Sequence, residues 1–394
     1  MKEFVQYMPT KVVFGRNTEN ETGRLVKERG ASRVLIVYGG GSAVKSGLLS
    51  RVEESLREEG IVYEELSGVR PNPRLSLARE GVKKALAFGA ELILAVGGGS
   101  AIDTAKAAAL GAANPGTDIW EFWMGRAQTE KALPVGAVLT IPAAGSEMSD
   151  SAVLTDEETK KKAGYNSDIV RPGFAVLNPE LTRTLPKYQL ACGIVDILMH
   201  TLERYFTPVK GNELTDELAE GLMRTVIRNG KKAYENQKDY DAMSELMWCG
   251  SLSHNGLTGF GRPKDFACHK LGHELSGRFD EVHGATLSAV WGSWAKYVHR
   301  LDLDRFARFG KQVWNIESED KEEAALASIE QTESFFRSLH MPVCLGDLSM
   351  GVQTDEVLRS LAEAATKGDT VRLGCFKKLT AQDAYEIYQA ANHR

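Results

Sequence analysis

Two apolar runs, residues 34–38 and 92–96, each pass directly into Gly-Gly-Gly-Ser, at 39–42 and 97–100. A continuous apolar run of that length, without polar alternation, reads as a strand covered on both faces, the signature of a parallel sheet. Parallel strands need a crossover connection, and the spacers supply one. Residues 48–59 and 75–88 carry apolar positions at helical spacing with charges on the outer face, and the Ala-rich stretch 101–113 after the second glycine turn can pack closely on a sheet. Ile61-Val62-Tyr63 predicts a short strand, Pro71-Asn72-Pro73 a break, and residues 135–141, 152–155 and 173–177 further strands. Strands alternating with helices define an α/β domain with a largely parallel, Rossmann-like sheet.

After Leu185-Pro186 the texture changes, and helical periodicity dominates almost to Arg394, over 214–227, 240–252, 286–297 and 322–339. A chain of 394 residues exceeds what one hydrophobic core usually holds. The expected division is therefore an α/β dinucleotide-binding domain over 1–185 and an all-α domain over 186–394. A formal charge of −5 argues against a nucleic-acid partner. No apolar run approaches the roughly 18–20 residues of a membrane span, and the first residues lack the apolar core of a signal peptide. Five cysteines, an odd number without a Cys-x-x-Cys, fit a reducing compartment and a cytoplasmic protein.

The helical half carries a concentrated set of metal-ligand residue types. Asp196 and His200 stand four apart, so a helix projects both from one face. Seventy residues on come His269, His273 and His283. An Asp with three His is a borderline-hard donor set that suits Fe(II), Zn(II), Co(II) or Ni(II) better than Ca(II) or Mg(II). Taken singly, each His is equally readable as a core residue satisfied by one hydrogen bond. Clustering favours the metal, since four of the eight histidines fall in these short segments.

The glycine turns point to phosphate. Glycine lets the backbone approach closely, and a following helix offers unpaired N–H groups. Gly97, Gly98, Gly99 and Ser100 open a helical segment and take the pyrophosphate of a dinucleotide, although the loop departs from the usual Gly-x-Gly-x-x-Gly. At the other turn, Gly39, Gly40, Gly41 and Ser42, no carboxylate is present to bind a ribose 2′-hydroxyl, and Lys45 lies three residues beyond. This turn favours NADP(H), with NAD(H) the rival. Asp103 is a further cofactor candidate, or an ordinary acidic residue of a first helical turn.

Asp-x3-His, His-x3-His and the following His-Gly closely resemble the iron-containing (group III) alcohol dehydrogenases, and within them the bacterial butanol dehydrogenases. The resemblance extends over essentially the whole chain, through Pro9-Thr10-Lys11-Val12-Val13-Phe14-Gly15, Gly97-Gly98-Gly99-Ser100-x-x-Asp103-x-x-Lys106 and Thr140-x-Pro142-x-x-Gly145-Ser146-Glu147. It implies the architecture shared with dehydroquinate synthases and a metal-dependent alcohol dehydrogenase or aldehyde reductase. The implied metal is Fe(II), with Zn(II) equally accommodated by the donor set, held by Asp196, His200, His269 and His283. Thr140, Ser149 and Lys162 match family positions near the cofactor, and Trp248, Asn255, Leu257 and Phe260 match a segment near the substrate. The family pattern makes His273 a proton relay, while a fifth ligand and a core residue remain alternatives. Small aliphatic aldehydes and primary alcohols are the expected substrates and a homodimer the expected assembly. A lyase of the dehydroquinate synthase type is the alternative, expected to use a Glu with two His and a basic substrate set that this chain lacks. A metallohydrolase would leave the glycine turns without a role.

Overall fold

The computed structural model describes all residues, 1–394, and the chain forms two compact units, Tyr7–Leu185 and Met1–Gln6 with Pro186–Arg394. The strands are β1 (Lys11–Phe14), β2 (Arg33–Gly39), β3 (Val62–Val69), β4 (Leu92–Gly97), β5 (Val135–Leu139), β6 (Ser151–Asp156), β7 (Lys161–Asn166) and β8 (Phe174–Leu177). The helices of the α/β unit are α1 (Thr22–Glu28), α2 (Ser42–Lys45), α3 (Leu48–Glu58), α4 (Leu75–Phe88), α5 (Gly99–Ala112) and α6 (Ile119–Trp123).

Six strands form one sheet in the order β1-β8-β5-β4-β2-β3, every neighbouring pair parallel. β2 and β4 lie side by side, Tyr38 opposite Val96. The chain leaves β2 toward β3 on one side and returns to β4 on the other, so the strand order reverses between β2 and β4. In open α/β sheets ligands bind outside the carboxyl ends of the strands at such a reversal. Both glycine turns stand there, at the ends of the two strands that flank it.

The apolar runs are central because they are apolar. Val34 through Val37 and Leu92 through Val96 are fully buried, and the alanines of α5 lie flat against them. β3 is longer than Ile61-Val62-Tyr63 because it is an edge strand, alternating exposed and covered positions through Glu64 and Glu65. The run at 152–155 is not part of the parallel sheet. As β6 it pairs antiparallel with β7, Ser151 opposite Asn166 and Asp156 opposite Lys161.

The second unit is helical throughout: α7 (Lys187–Tyr205), α8 (Glu213–Glu235), α9 (Tyr240–His254), α10 (Ala267–Phe279), α11 (His283–Val298), α12 (Leu303–Trp314), α13 (Lys321–Ser338), α14 (Asp355–Ala365) and α15 (Ala381–Ala391). Residues 1–6, placed by the expected boundary with the α/β domain, belong instead to this unit: Lys2 N donates to Gly261 O at 2.8 Å and Phe4 stacks on Phe260 at 5.0 Å. α7 is buried on every side from Leu190 to Tyr205, the polar residues among them included. None of the helices is long and apolar enough to cross a membrane.

α11 begins hard against α7. A β-carbon on Gly284 would lie 2.3 Å from the backbone oxygen of Cys192, so only glycine permits this approach. Gly284→Ala should lower the unfolding free energy by about 1–3 kcal/mol, the range for overpacking a closed core. Denaturant titration of the two proteins checks this, and equal midpoints would show that α11 moves away freely.

Candidate metal centre and cofactor turns

The buried helix α7 carries a polar stripe that an apolar helix would not retain without a reason. Asp196, His200 and Glu203 recur at i, i+4 and i+7 and so share one face. All three are buried, as are His269 and His273 one turn apart on α10. His283 is the first residue of α11, delivered by the close seating of Gly284 on α7.

Asp196 Oδ1 lies 3.5 Å from His200 Nδ1, 3.7 Å from His269 Nε2 and 3.9 Å from His283 Nε2. Ligand atoms about 2.0–2.2 Å from one transition-metal ion stand roughly 3–3.5 Å apart, so this spacing is close to that of a coordination shell. One ligand atom each from Asp196, His200 and His269 falls within 4.8 Å of the others. Asp196 Oδ1, His200 Nδ1 and His269 Nε2 are buried and have no hydrogen-bond partner. Such atoms are costly in a protein interior unless something compensates them. A divalent cation at their focus does so, and the donor set fits one.

Glu203, absent from the expected site, backs this set. It accepts a hydrogen bond from the His269 backbone N at 3.2 Å, and its other oxygen pairs with His269 Nδ1. A carboxylate behind a ligating imidazole fixes its tautomer and turns the opposite nitrogen toward the metal. Burial lowers the pKa of His269, but the Glu203 and Asp196 carboxylates outweigh it and hold that imidazole at about 8. His200 is held well below the ordinary imidazole value by burial and then by its neighbours His254 and His269. The ring of His254, also unforeseen, lies 4.0 Å from that of His200, and its Nδ1 is 3.2 Å from Arg204 Nη2. The α7 periodicity carried the signal for Glu203. His254 precedes the expected substrate-side Asn255, but nothing in the sequence placed it beside His200.

His273 is buried with its ring 5.3 Å from that of His283 and 6.4 Å from that of His269, beside the converging atoms and not among them. Of the expected substrate-side residues, Asn255 is buried, Leu257 and Phe260 are half-buried, and Trp248 is exposed.

In the α/β unit the turn at 97–100 is a tight cradle. A β-carbon on Gly98 would lie 2.4 Å from Ile141 Cγ2, and one on Gly99 3.3 Å from Ala144 Cβ. The Gly99 and Ser100 N–H groups, at the start of α5, have no acceptor within the helix, which suits a phosphate. Thr140 joins the turn through its N–H to Gly97 O at 3.1 Å. At the other turn Gly40 is open on its β-carbon side, and a β-carbon on Gly39 would meet only Val69 O at 3.5 Å.

Asp103 and Ser149 take part in a polar knot with Ser146 and Lys106. Asp103 accepts from Ser146 Oγ at 2.6 Å and from Val153 N at 3.0 Å. Lys106, fully buried, donates to Ser146 Oγ, to Ser149 O and Oγ, and to Ser151 O at 2.7–3.3 Å. Burial lowers the Lys106 pKa to about 8 against the pull of Asp103, and the same burial raises that of Asp103. Ser146 thus accepts from the buried Lys106 and donates to the half-buried Asp103, tying segment 146–153 to α5. Lys162 lies on β7, where its Nζ donates to Asn72 Oδ1 at 2.9 Å.

Sequence comparison agrees with this geometry. The iron-containing alcohol dehydrogenase model matches residues 9–179 and the C-terminal model of the Fe-containing alcohol dehydrogenase family matches residues 190–392. The chain belongs to the iron-containing alcohol dehydrogenase family, and is an NAD(P)-dependent alcohol dehydrogenase or aldehyde reductase. Within that family it is 39% identical over 391 residues to NADH-dependent butanol dehydrogenase A of Clostridium acetobutylicum, covering 99% of each chain. It is 35% identical to the NADPH-dependent aldehyde reductase YqhD of Escherichia coli, over 99% of this chain and 100% of that one. The crystal structure of NADH-dependent butanol dehydrogenase A from Thermotoga maritima superposes with a TM-score of 0.95 at 38% identity, covering 100% of this chain and 99% of the other.

A metal must displace the proton that His269 carries below about pH 8. The affinity for Zn(II) or Co(II) should therefore weaken as pH falls through that value, by about tenfold per pH unit for one displaced proton. Chelator competition across neutral pH measures it. Glu203→Gln removes the supporting carboxylate and should move the break to lower pH. A wild-type profile that is flat through pH 8 would refute the assignment of His269 to the metal.

Proposed function

We propose that the chain interconverts small aliphatic aldehydes and primary alcohols, with iron(II) held by Asp196, His200, His269 and His283 and with NADP(H) preferred over NAD(H). The observation that carries this reading is the trio of buried, partnerless atoms on Asp196, His200 and His269 in a member of this family. When bound, the metal supplies Lewis acidity toward a carbonyl or alcohol oxygen and the nicotinamide supplies or accepts hydride. The chain's own residues do the rest. Glu203 orients His269, the Gly97–Ser100 turn holds the pyrophosphate, and Thr140, Asp103, Ser149 and Lys162 border the cofactor. His273 moves the proton between the substrate oxygen's surroundings and solvent. The names of relatives that act on butanol support butanal as first substrate. NADPH consumption on butanal by protein loaded anaerobically with Fe(II) tests the reading, and its absence with both reduced nicotinamides would refute it.

The relatives divide between NADH and NADPH, so cofactor choice rests on this chain. Residues 39–42 carry no carboxylate to repel a 2′-phosphate, and Lys45 Nζ lies 3.9 Å from where a Gly41 β-carbon would stand. Gly39 tolerates a side chain, since a β-carbon there meets only Val69 O at 3.5 Å. Gly39→Asp should cost NADPH several kcal/mol through like-charge contact and shift preference toward NADH. The NADPH/NADH ratio of kcat/KM measures the change, and a wild type that already prefers NADH would refute the NADP(H) assignment.

For His273, replacement by Phe should keep the metal and cofactor affinity, lower kcat by about 10²–10⁴-fold, and flatten its pH dependence near neutrality. Metal loss equal to that of His269→Ala would make it a ligand. A lowered Tm with kcat intact would make it a core residue.

A further inference from the structure

The helix that presents His269 and His273 starts from a strained residue. Phe266, immediately before α10, has φ +56°, the left-handed region that a bulky side chain avoids. Strain of this kind persists only where surrounding structure over-determines it, and it collects at functional sites. The strain places the Phe266 ring 4.9 Å from that of His269 and 6.1 Å from that of His200, with the Arg204 guanidinium 4.8 Å above it.

What over-determines it is the preceding residue. Asp265 is buried, and its carboxylate accepts three backbone N–H groups, Ala267 at 3.1 Å on one oxygen and both Cys375 and Phe376 at 2.7 Å on the other. Its own N–H donates to Glu203 O at 2.8 Å, the residue that backs His269. The far partner is a turn some 110 residues away in sequence. Gly374 has φ +77°, and a β-carbon there would stand 2.7 Å from the Asp265 carboxylate. Leu373 and Leu379 close the turn through paired backbone hydrogen bonds, and Phe376 plugs it into the aromatic core against Phe206, Phe306 and Trp294.

We propose that Asp265 and the Gly374–Phe376 turn form a clamp that positions His269, so that the C-terminal segment determines how tightly the metal is held. The inference rests on the reading of Asp196, His200, His269 and His283 as the ligand set. Asp265 touches neither substrate nor metal in this reading. It acts through Phe266 and the first turn of α10, and is a positioning residue.

Co(II) is loaded into wild-type protein and into Asp265→Asn, Gly374→Ala and the double variant. Release to a chelator is followed by the visible Co(II) absorption, alongside Tm with and without metal and the NADPH dissociation constant. Asn keeps the size of Asp265 but points an N–H₂ at one of the three donors, whereas Ala at 374 intrudes on the same carboxylate from the opposite side. Each single variant should release metal 10–100-fold faster, the range for lost support behind a ligand, with NADPH affinity unchanged. The double variant should release it no faster than the faster single one, because one device cannot be broken twice. Wild type that binds no Co(II) overturns the ligand reading and this inference with it. Wild type that binds, with variants that hold metal equally well, overturns the clamp alone. So do additive losses accompanied by equal falls in Tm of the metal-free and metal-loaded forms, which mark a purely structural turn.

Discussion

A carboxylate and two imidazoles are buried on and beside α7 with their facing atoms unsatisfied by the protein. Several features of the helical unit converge on that arrangement. The interior helix must be apolar all round to be buried, yet it carries Asp196, His200 and Glu203 along one stripe. Gly284 lets α11 seat against α7 beside His283, and Phe266, in the left-handed region, precedes the turn of α10 that carries His269. Buried polar groups are high-stakes in a low-dielectric interior, satisfied together or not at all. Here the protein completes its side of the network through Glu203 and leaves the metal-facing side open.

The α/β unit solves a different problem with the same economy of means. A dinucleotide carries charge that the backbone can meet directly if no side chain intervenes, and the parallel sheet places two glycine turns at adjacent strand ends where its order reverses. The Asp103–Ser146–Lys106 knot holds the neighbouring loop to α5. A buried lysine and a half-buried aspartate that share one hydroxyl rigidify the connection between them.

Much of this was legible in the sequence, for identifiable reasons. The central strands declared themselves because burial on both faces leaves uninterrupted apolar runs, and the Asp196–His200 and His269–His273 pairs because four-residue spacing survives in any helix. β7 was not legible, since a run of three lysines at 160–162 gives no apolar alternation to mark a strand. Only Lys160, with φ +58°, is turn, and the other two start a strand paired to β6. Asp103 and Ser149, expected at the cofactor from family position, also meet Ser146 and Lys106, contacts between distant segments that no local pattern announces. Glu203 was readable in principle from the α7 stripe. Asp265 was not, because its partners lie at 375 and 376 and no local pattern joins them.

The wide spacing of the metal set along the chain carries a thermodynamic consequence. Asp196 and His283 are held in register only by the docking of three helices, so the unfolded chain offers an incoming ion at most an isolated pair of side chains. A ligand that discriminates so sharply between folded and unfolded forms stabilises by mass action, growing with the logarithm of its free concentration. An ion held by the proposed set would act as a reversible crosslink tying α7, α10 and α11 together, and the supply of metal would become a term in the folding equilibrium as well as in the chemistry.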